Sequence, residues 1–332
     1  MNATLSREPT VDDDFRPSLW LRYHHVQTML ASTSWRHARV LARAAPLLAA
    51  QRELLLDCGA GVRLQCFLST PTQPRAPTVV VLHGWEGSAD ALYVLSLAER
   101  LFAAGFEVAR LNLRDHGETH HLNRELFHSC RLPEVVGAVR ALGSECRRAL
   151  ALVGFSLGGN FMLRVAAEAR GAALDLAQVI AVSPVLEPRE TMHALQNGLP
   201  GYEAYFVRKW LRSLRKKQAA WPGLYDFREL GRLRDLKRMT AELVRSHTDF
   251  PTLDDYLNGY ALTGSRLAPL EVRSTILTSL DDPIIPAAAL GRLARPPALA
   301  ITATRRGGHC GYFAQLSGPT WLEQRILGLL GG

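Results

Sequence analysis

The sequence predicts an α/β protein: an open, mostly parallel, doubly wound sheet that carries a helical insertion. From Thr78 onward, short apolar runs alternate with longer segments of helical periodicity, the pattern of parallel strands joined by crossover helices. Gly154-Phe155-Ser156-Leu157-Gly158 stands between one such run and one such segment. A single long interruption, 186–273, separates the first four of these runs from the last two.

The expected strands are Val79–Leu82, Val108–Leu113, Leu150–Gly154, Val179–Ser183, Thr275–Leu280 and Leu299–Thr304. Helical spacing is expected over Ala89–Ala104, Leu132–Leu142 and Asn160–Ala169. Upstream, two β-rich runs between Arg52 and Leu68 flank Gly59-Ala60-Gly61, which predicts a hairpin with the glycines in its turn. Arg16–Ala50 mixes Trp20, Trp35 and apolar residues with Arg and His, and reads as short helices packed outside the core. The domain plan is an N-terminal helical extension (1–50), a core made of 51–185 and 274–332, and a helical cap (186–273) over the carboxyl edge of the sheet. Sheets of this kind bind ligands at that edge.

Hydrophobic residues are 47% of the chain and charged residues 21%, the balance of a soluble globular protein rather than a disordered one. The net charge of +8 is local. Between Phe206 and Arg238 there are eleven Lys or Arg against three Asp or Glu, an excess equal to that of the whole chain. No nucleic-acid reading module accompanies it, so no nucleic-acid partner is expected. The five cysteines are odd in number and never spaced C-x-x-C, which argues against a disulfide framework and a zinc knuckle and points to a reducing cytoplasm. Met1–Asp14 is polar and acidic without an apolar stretch, so no secretory leader is expected. No apolar run approaches the roughly 20 residues needed to span a bilayer.

Chemistry enters at Gly154–Gly158. After the buried-type run Leu150-Ala151-Leu152-Val153 and before a helical segment, G-x-S-x-G has the strand-turn-helix setting of a nucleophile elbow, in which Gly154 and Gly158 let the chain fold tightly and expose the Ser156 hydroxyl. A serine hydroxyl needs a base within reach. Gly307-Gly308-His309-Cys310-Gly311, just after the last strand, supplies His309. Asp281-Asp282-Pro283, at the end of the preceding strand, offers a carboxylate to orient the imidazole. The backbone amide of Leu157, next to the nucleophile, is one expected oxyanion donor. The amide of Trp85 in His83-Gly84-Trp85 is the other, with His83 itself in a structural role.

Asp115, His116, Glu118, His120 and His121 form a short cluster with some ligand-like spacing, but no Cys or His pair elsewhere completes a shell. No metal and no cofactor is expected. His24 and His25 read as packing residues. In the basic stretch, Phe206, Trp210 and Leu214 recur at helical spacing with Arg208, Lys209, Arg212 and Arg215 between them. The preferred reading is a solvated cap helix with its aromatic face on the core. The alternative is peripheral contact between 206–238 and an anionic membrane, or a grip on an acidic headgroup.

With these residues in place, the chain resembles the YheT-like branch of the α/β-hydrolases, a group that includes lipid esterases among its animal relatives. The resemblance rests on Arg16-Pro17, on His25 to Thr28 (His-x-Gln-Thr), on His83 to Ser88, on the elbow with Asn160, on Asp281-Asp282-Pro283 and on Gly308 to Gly311. It implies the order Ser, Asp, His that the sequence has. It also favours Asp282 over Asp281, because the orienting acid of that fold directly precedes the proline. One departure stands out: where the family carries Arg-Gly and later His-Ser-Gly, this chain has Arg114-Asp115 and His128-Ser129-Cys130. The expected function is hydrolysis of a small acyl ester, apolar in its acyl chain, through an acyl-enzyme. A thioesterase or amidase with the same residues, and a non-catalytic binding protein on the same fold, are the alternatives.

Overall fold

Runs rich in β-branched residues and leucine form nine strands in the computed structural model, which describes residues 9–331. The first residues of the polar N-terminal start discussed above lie outside the described residues. The strands are β1 (Thr10–Asp12), β2 (Gln51–Asp57), β3 (Arg63–Ser69), β4 (Arg75–Leu82), β5 (Phe106–Leu111), β6 (Leu150–Phe155), β7 (Leu176–Val182), β8 (Ser274–Ser279) and β9 (Leu299–Thr304). They make one sheet in the order β1-β9-β8-β7-β6-β4-β5-β3-β2. Only β3 runs antiparallel to its neighbours, β2 and β5. The winding reverses where β4 lies beside β6, and such a switch point opens a crevice beyond the strand ends.

Val79, Val80, Val81 and Leu82 of β4 are fully buried, as a strand covered on both faces requires. Alternate residues serve opposite layers. Val79 and Val81 pack with Val40 and Leu47 of α2 (His37–Ala49), Val94 and Leu97 of α3 (Leu92–Ala103) and Ile326 of the C-terminal helix Trp321–Leu329. Val80 and Leu82 pack with Val139 of α4 (Leu132–Cys146) and Phe161 of α5 (Leu157–Glu168) on the other face. A further helix, α1 (His24–Ser32), precedes α2. Between β7 and β8 come α6 (Pro188–Asn197), α7 (Gly201–Ala220), α8 (Leu236–His247) and α9 (Leu253–Gly259), so that the C-terminal helix is α10.

The hairpin falls where the glycines place it. Other edges differ from expectation. β5 starts at Phe106 and stops at Leu111, because the chain turns into a polar loop before Leu113. The third helix starts at Leu92 rather than Ala89, and α4 runs on to Cys146, where Arg147 enters a left-handed conformation at φ 52°. The helix after the elbow begins at Leu157, three residues before Asn160. β1 was not anticipated. Its three residues are polar or only partly covered, and it holds the edge through parallel pairing of Thr10 to Asp12 with Thr302 to Thr304.

The long helix α7 is anchored to the loop after β5 by a buried ion pair. Lys217 Nζ donates to Asp115 Oδ1 at 2.8 Å, with both side chains almost fully buried, and to the carbonyl of Glu125 at 3.1 Å. The Trp221 indole N–H donates to the His120 carbonyl at 2.9 Å in the same seam. A buried carboxylate deprived of its partner is strongly destabilising, whereas removing both charges is far milder. Lys217→Met is therefore expected to lower the urea unfolding free energy by about 3 kcal/mol. Adding Asp115→Asn should recover much of that loss, which a double-mutant cycle measures.

Candidate active site

The turn from β6 into α5 places Ser156 at φ 53°, a conformation that a non-glycine residue adopts only when its surroundings impose it. Here they do. A Cβ on Gly154 would lie 2.4 Å from the Gly158 carbonyl oxygen, and a Cβ on Gly158 would lie 2.4 Å from that of His83. Backbone meets backbone at both points. Ser156 N donates to the Val182 carbonyl at 2.8 Å, and Val185 N donates to the Ser156 carbonyl at 3.3 Å. Asn160, buried one turn into α5, donates through its amide to the carbonyls of Val185 (2.8 Å) and Tyr260 (2.7 Å). The elbow is thus tied to the loop after β7 and to the chain that follows α9.

His309 stands beyond β9, between glycines at φ 148° and φ 57° (Gly307, Gly308) and Cys310. Its Nδ1 lies 2.8 Å from Asp282 Oδ2. The other oxygen, Asp282 Oδ1, accepts from the amides of Ile284 (2.8 Å) and Ile285 (2.9 Å), and no part of the side chain is exposed. With the carboxylate so fixed, Nδ1 carries the proton and Nε2 is left as the basic nitrogen. Asp281 turns elsewhere and accepts from the Gly308 amide at 2.9 Å. The structure therefore brings Asp282 to the imidazole, while Asp281 holds the loop backbone. Burial disfavours a charged His309, but the Asp282 carboxylate beside it outweighs that and raises its pKa well above the ordinary imidazole value.

The loop after β4 lies directly against the nucleophile: a Cβ on Gly84 would come within 3.1 Å of Ser156 Cβ. Two buried histidines shape it. His83 Nδ1–H donates to the Gly84 carbonyl at 2.7 Å, while Nε2 accepts from Leu113 N at 3.2 Å. Burial pushes its pKa down to about 4, so it is neutral. His116 Nδ1–H donates to the Arg114 carbonyl (2.7 Å), and Nε2 accepts from Glu86 N (3.1 Å). Burial first, and then His83, hold its pKa well below the ordinary range. The Tyr93 hydroxyl accepts from Gly84 N at 3.0 Å. Among the described residues, the amides of Trp85 and Leu157 have no protein acceptor.

The polar cluster after β5 is thus dispersed. His116 supports the loop after β4, Asp115 pairs with Lys217, Glu118 with Lys216, and His120 Nε2 meets Ser213 Oγ at 2.9 Å. Among the described residues, no three His, Cys, Asp or Glu side chains are grouped to hold a metal ion. Asp115, where the resembled family has glycine, sits at φ 58°. Its carboxylate uses that geometry to accept from both Lys217 and the Phe127 amide, 2.8 Å each.

Composition did not reveal the role of α1. Gln27 Nε2 donates to the carbonyls of Leu21 (2.6 Å) and Phe313 (2.9 Å), and its Oε1 accepts from Phe313 N at 2.8 Å. Thr28 Oγ1 accepts from His309 N at 2.9 Å. Gly308 and Gly311 lie so close to α1 that a Cβ would fall 2.4 Å from the His24 carbonyl and 2.6 Å from that of Gln27. The His309 loop is therefore fastened to this helix. The only signal in the sequence was the His-x-Gln-Thr string. His25, read as packing, has its Nδ1 2.8 Å from the Tyr202 hydroxyl of α7.

Ser156 and His309 open onto one cavity of about 560 Å³, roofed by α1, α6, α7 and α8. Its walls are mostly apolar, with Met192, Leu195, Trp210, Leu243 and Ile284 among them. The aromatic face of α7 packs inward, Phe206 stacking on Trp85 with ring centroids 5.4 Å apart and planes 8° from parallel. Arg208, Arg212 and Arg215 remain on its exposed face.

A reversing parallel sheet, a strained serine at a strand tip and a histidine held by a carboxylate define a hydrolase architecture, and the chain belongs to the alpha/beta hydrolase family, whose sequence model matches residues 79–322. It is 25% identical over 338 residues to the "Putative esterase YheT" of Escherichia coli K12, covering 98% of this chain and 95% of that one. In fold it is similar to an esterase of Pyrococcus furiosus (TM-score 0.56, 13% identity, 85% of this chain and 92% of the other). It is also similar to a proline iminopeptidase of Mycobacterium smegmatis (TM-score 0.51, 16% identity, 84% and 98%). Among the described residues, no helix is long and apolar enough to cross a membrane.

Two outcomes follow from this geometry. Gly158→Ala forces a methyl group onto backbone carbonyls, and a loss of roughly 1–3 kcal/mol in denaturant unfolding is expected. In a pH titration followed by NMR, the His309 ring should titrate above 6.5, its ordinary value, and Asp282→Asn should lower its pKa by removing the carboxylate that favours the charged form.

Proposed function

We propose that the protein hydrolyses carboxylic esters with apolar acyl chains through an acyl-enzyme on Ser156. The observation that carries this reading is the opening of Ser156 and the Asp282-bound His309 onto one apolar cavity. His309 Nε2 removes the Ser156 proton as Oγ attacks the ester carbonyl, and Asp282 stabilises the imidazolium that results. The Trp85 and Leu157 amides receive the oxyanion. The proton then passes to the leaving alcohol, and water, activated by the same imidazole, releases the acid. The five free thiols fit a reducing compartment, and we place the enzyme in the cytoplasm.

Hydrolysis of p-nitrophenyl esters of increasing acyl length tests the reading, with a matched thioester and anilide in the same series to separate the related activities. Ser156→Ala is expected to lower kcat by at least about 10³-fold, and the optimum length to match the apolar cavity. A wild-type protein that turns over no ester, and leaves a fluorophosphonate probe unreacted, would overturn the reading.

The pH dependence follows from the same geometry. Protonated His309 cannot accept the serine proton, so kcat/KM falls as pH drops through the His309 pKa. Its raised value puts the midpoint of that limb above 6.5.

A further inference from the structure

Among the residues that line the cavity, Lys209 is the only Lys, Arg, Asp or Glu. It lies on α7 within the aromatic face, beside Trp210 and one turn beyond Phe206 and Tyr205. An ammonium group has three N–H donors and no acceptor. Lys209 Nζ spends one donor on the Glu86 carbonyl at 2.9 Å and faces the Tyr205 ring at 5.1 Å from the centroid. Farther along α7, Lys216 pairs with Glu118 and Lys217 with Asp115, while Arg208, Arg212 and Arg215 lie on the exposed face and do not line the cavity. Among the described residues, no carboxylate stands within ion-pair distance of Lys209. The nearby Glu86 makes its contact with Lys209 through its backbone carbonyl and not its carboxyl, whose pKa burial raises to about 8.

A half-buried ammonium that lines an apolar chamber and has no ion-pair partner keeps N–H donors free for an anionic group of a ligand. Its single bond to Glu86 pins the loop that bears the Trp85 amide, so the free donors lie on the same loop frame as the reacting ester. We propose that Lys209 determines specificity by receiving an anionic group, carboxylate or phosphate, carried by a substrate whose remainder is apolar. This inference rests on the hydrolase reading for its consequence, but its binding test does not depend on turnover. Substrates of this class are amphiphilic acyl esters with one negatively charged end, and neutral acyl esters of equal length occupy the cavity less tightly.

The test is binding of octanol, octanoate and octyl phosphate to the wild-type chain and to Lys209→Met and Lys209→Arg, by calorimetry at low salt. The wild type should bind the anions roughly tenfold or more tighter than octanol, since a hydrogen bond to a charged group adds at least that much. Lys209→Met should bring the three ligands together, and Lys209→Arg should keep the preference. The carboxylate and phosphate arms show which anion the site favours. Octanol binding reports an intact cavity in each variant, and where Lys209→Met loses it, Lys209→Gln decides the same ratio. Equal binding of all three ligands by the wild type, or a preference that survives loss of the ammonium, would overturn the proposal. Lys209-dependent anion binding in a protein that hydrolyses no ester would instead sink the hydrolase reading and leave the anion site standing.

Discussion

Backbone-on-backbone contact at the tip of β6 is the constraint from which the rest of the site follows. Gly158 lies so close to the carbonyls of Leu82 and His83 that no side chain fits between β4 and the turn after β6. That contact locks Ser156 in a conformation it would not choose and turns its hydroxyl toward the cavity. It also fixes the Leu157 amide beside the loop that bears Trp85. Because β4 and β6 are neighbours at the point where the sheet reverses, both halves of this arrangement arise at one crevice.

Around that contact, the chain uses neutral imidazoles as struts and sets a third imidazole against a carboxylate. His83 and His116 lie with ring centroids 4.9 Å apart, both deeply buried and each donating to one backbone group and accepting from another. Neutral rings do both at once, which protonated rings cannot. His309 differs because the Asp282 carboxylate stands against it. Burial and a fixed charge thus drive these histidines in opposite directions, and the direction separates the two struts from the residue proposed as the base. His309 is in turn held from far away: the bond from its amide to Thr28 spans 281 residues of chain.

That long-range fastening marks the limit of what the sequence disclosed. Strand and helix positions in the core were legible because Val79 to Leu82 and Leu150 to Val153 are continuous apolar runs with crossover segments between them. Ser156, His309 and the Asp281-Asp282 pair were legible because their glycine or proline flanks are local signals. The contacts of Gln27 and Thr28 were not, since a polar side chain that satisfies backbone groups hundreds of residues away leaves no periodicity behind. β1 escaped for a related reason: three residues with no apolar alternation gain their structure from pairing with β9 alone. Asp115 and Lys217 looked like surface charges in a polar loop and a basic helix, and only their meeting in space makes them a buried pair.

The central claim is that Ser156 carries the acyl group. Its most direct measurement is intact-mass spectrometry of the protein mixed with a p-nitrophenyl ester and quenched in acid within the first turnover, followed by peptide mapping. An adduct equal to the acyl group less one hydrogen, confined to the peptide that contains Ser156 and absent from Ser156→Ala, is the predicted result. Ester cleavage with no adduct on that peptide, or with the adduct on another side chain, would contradict the account.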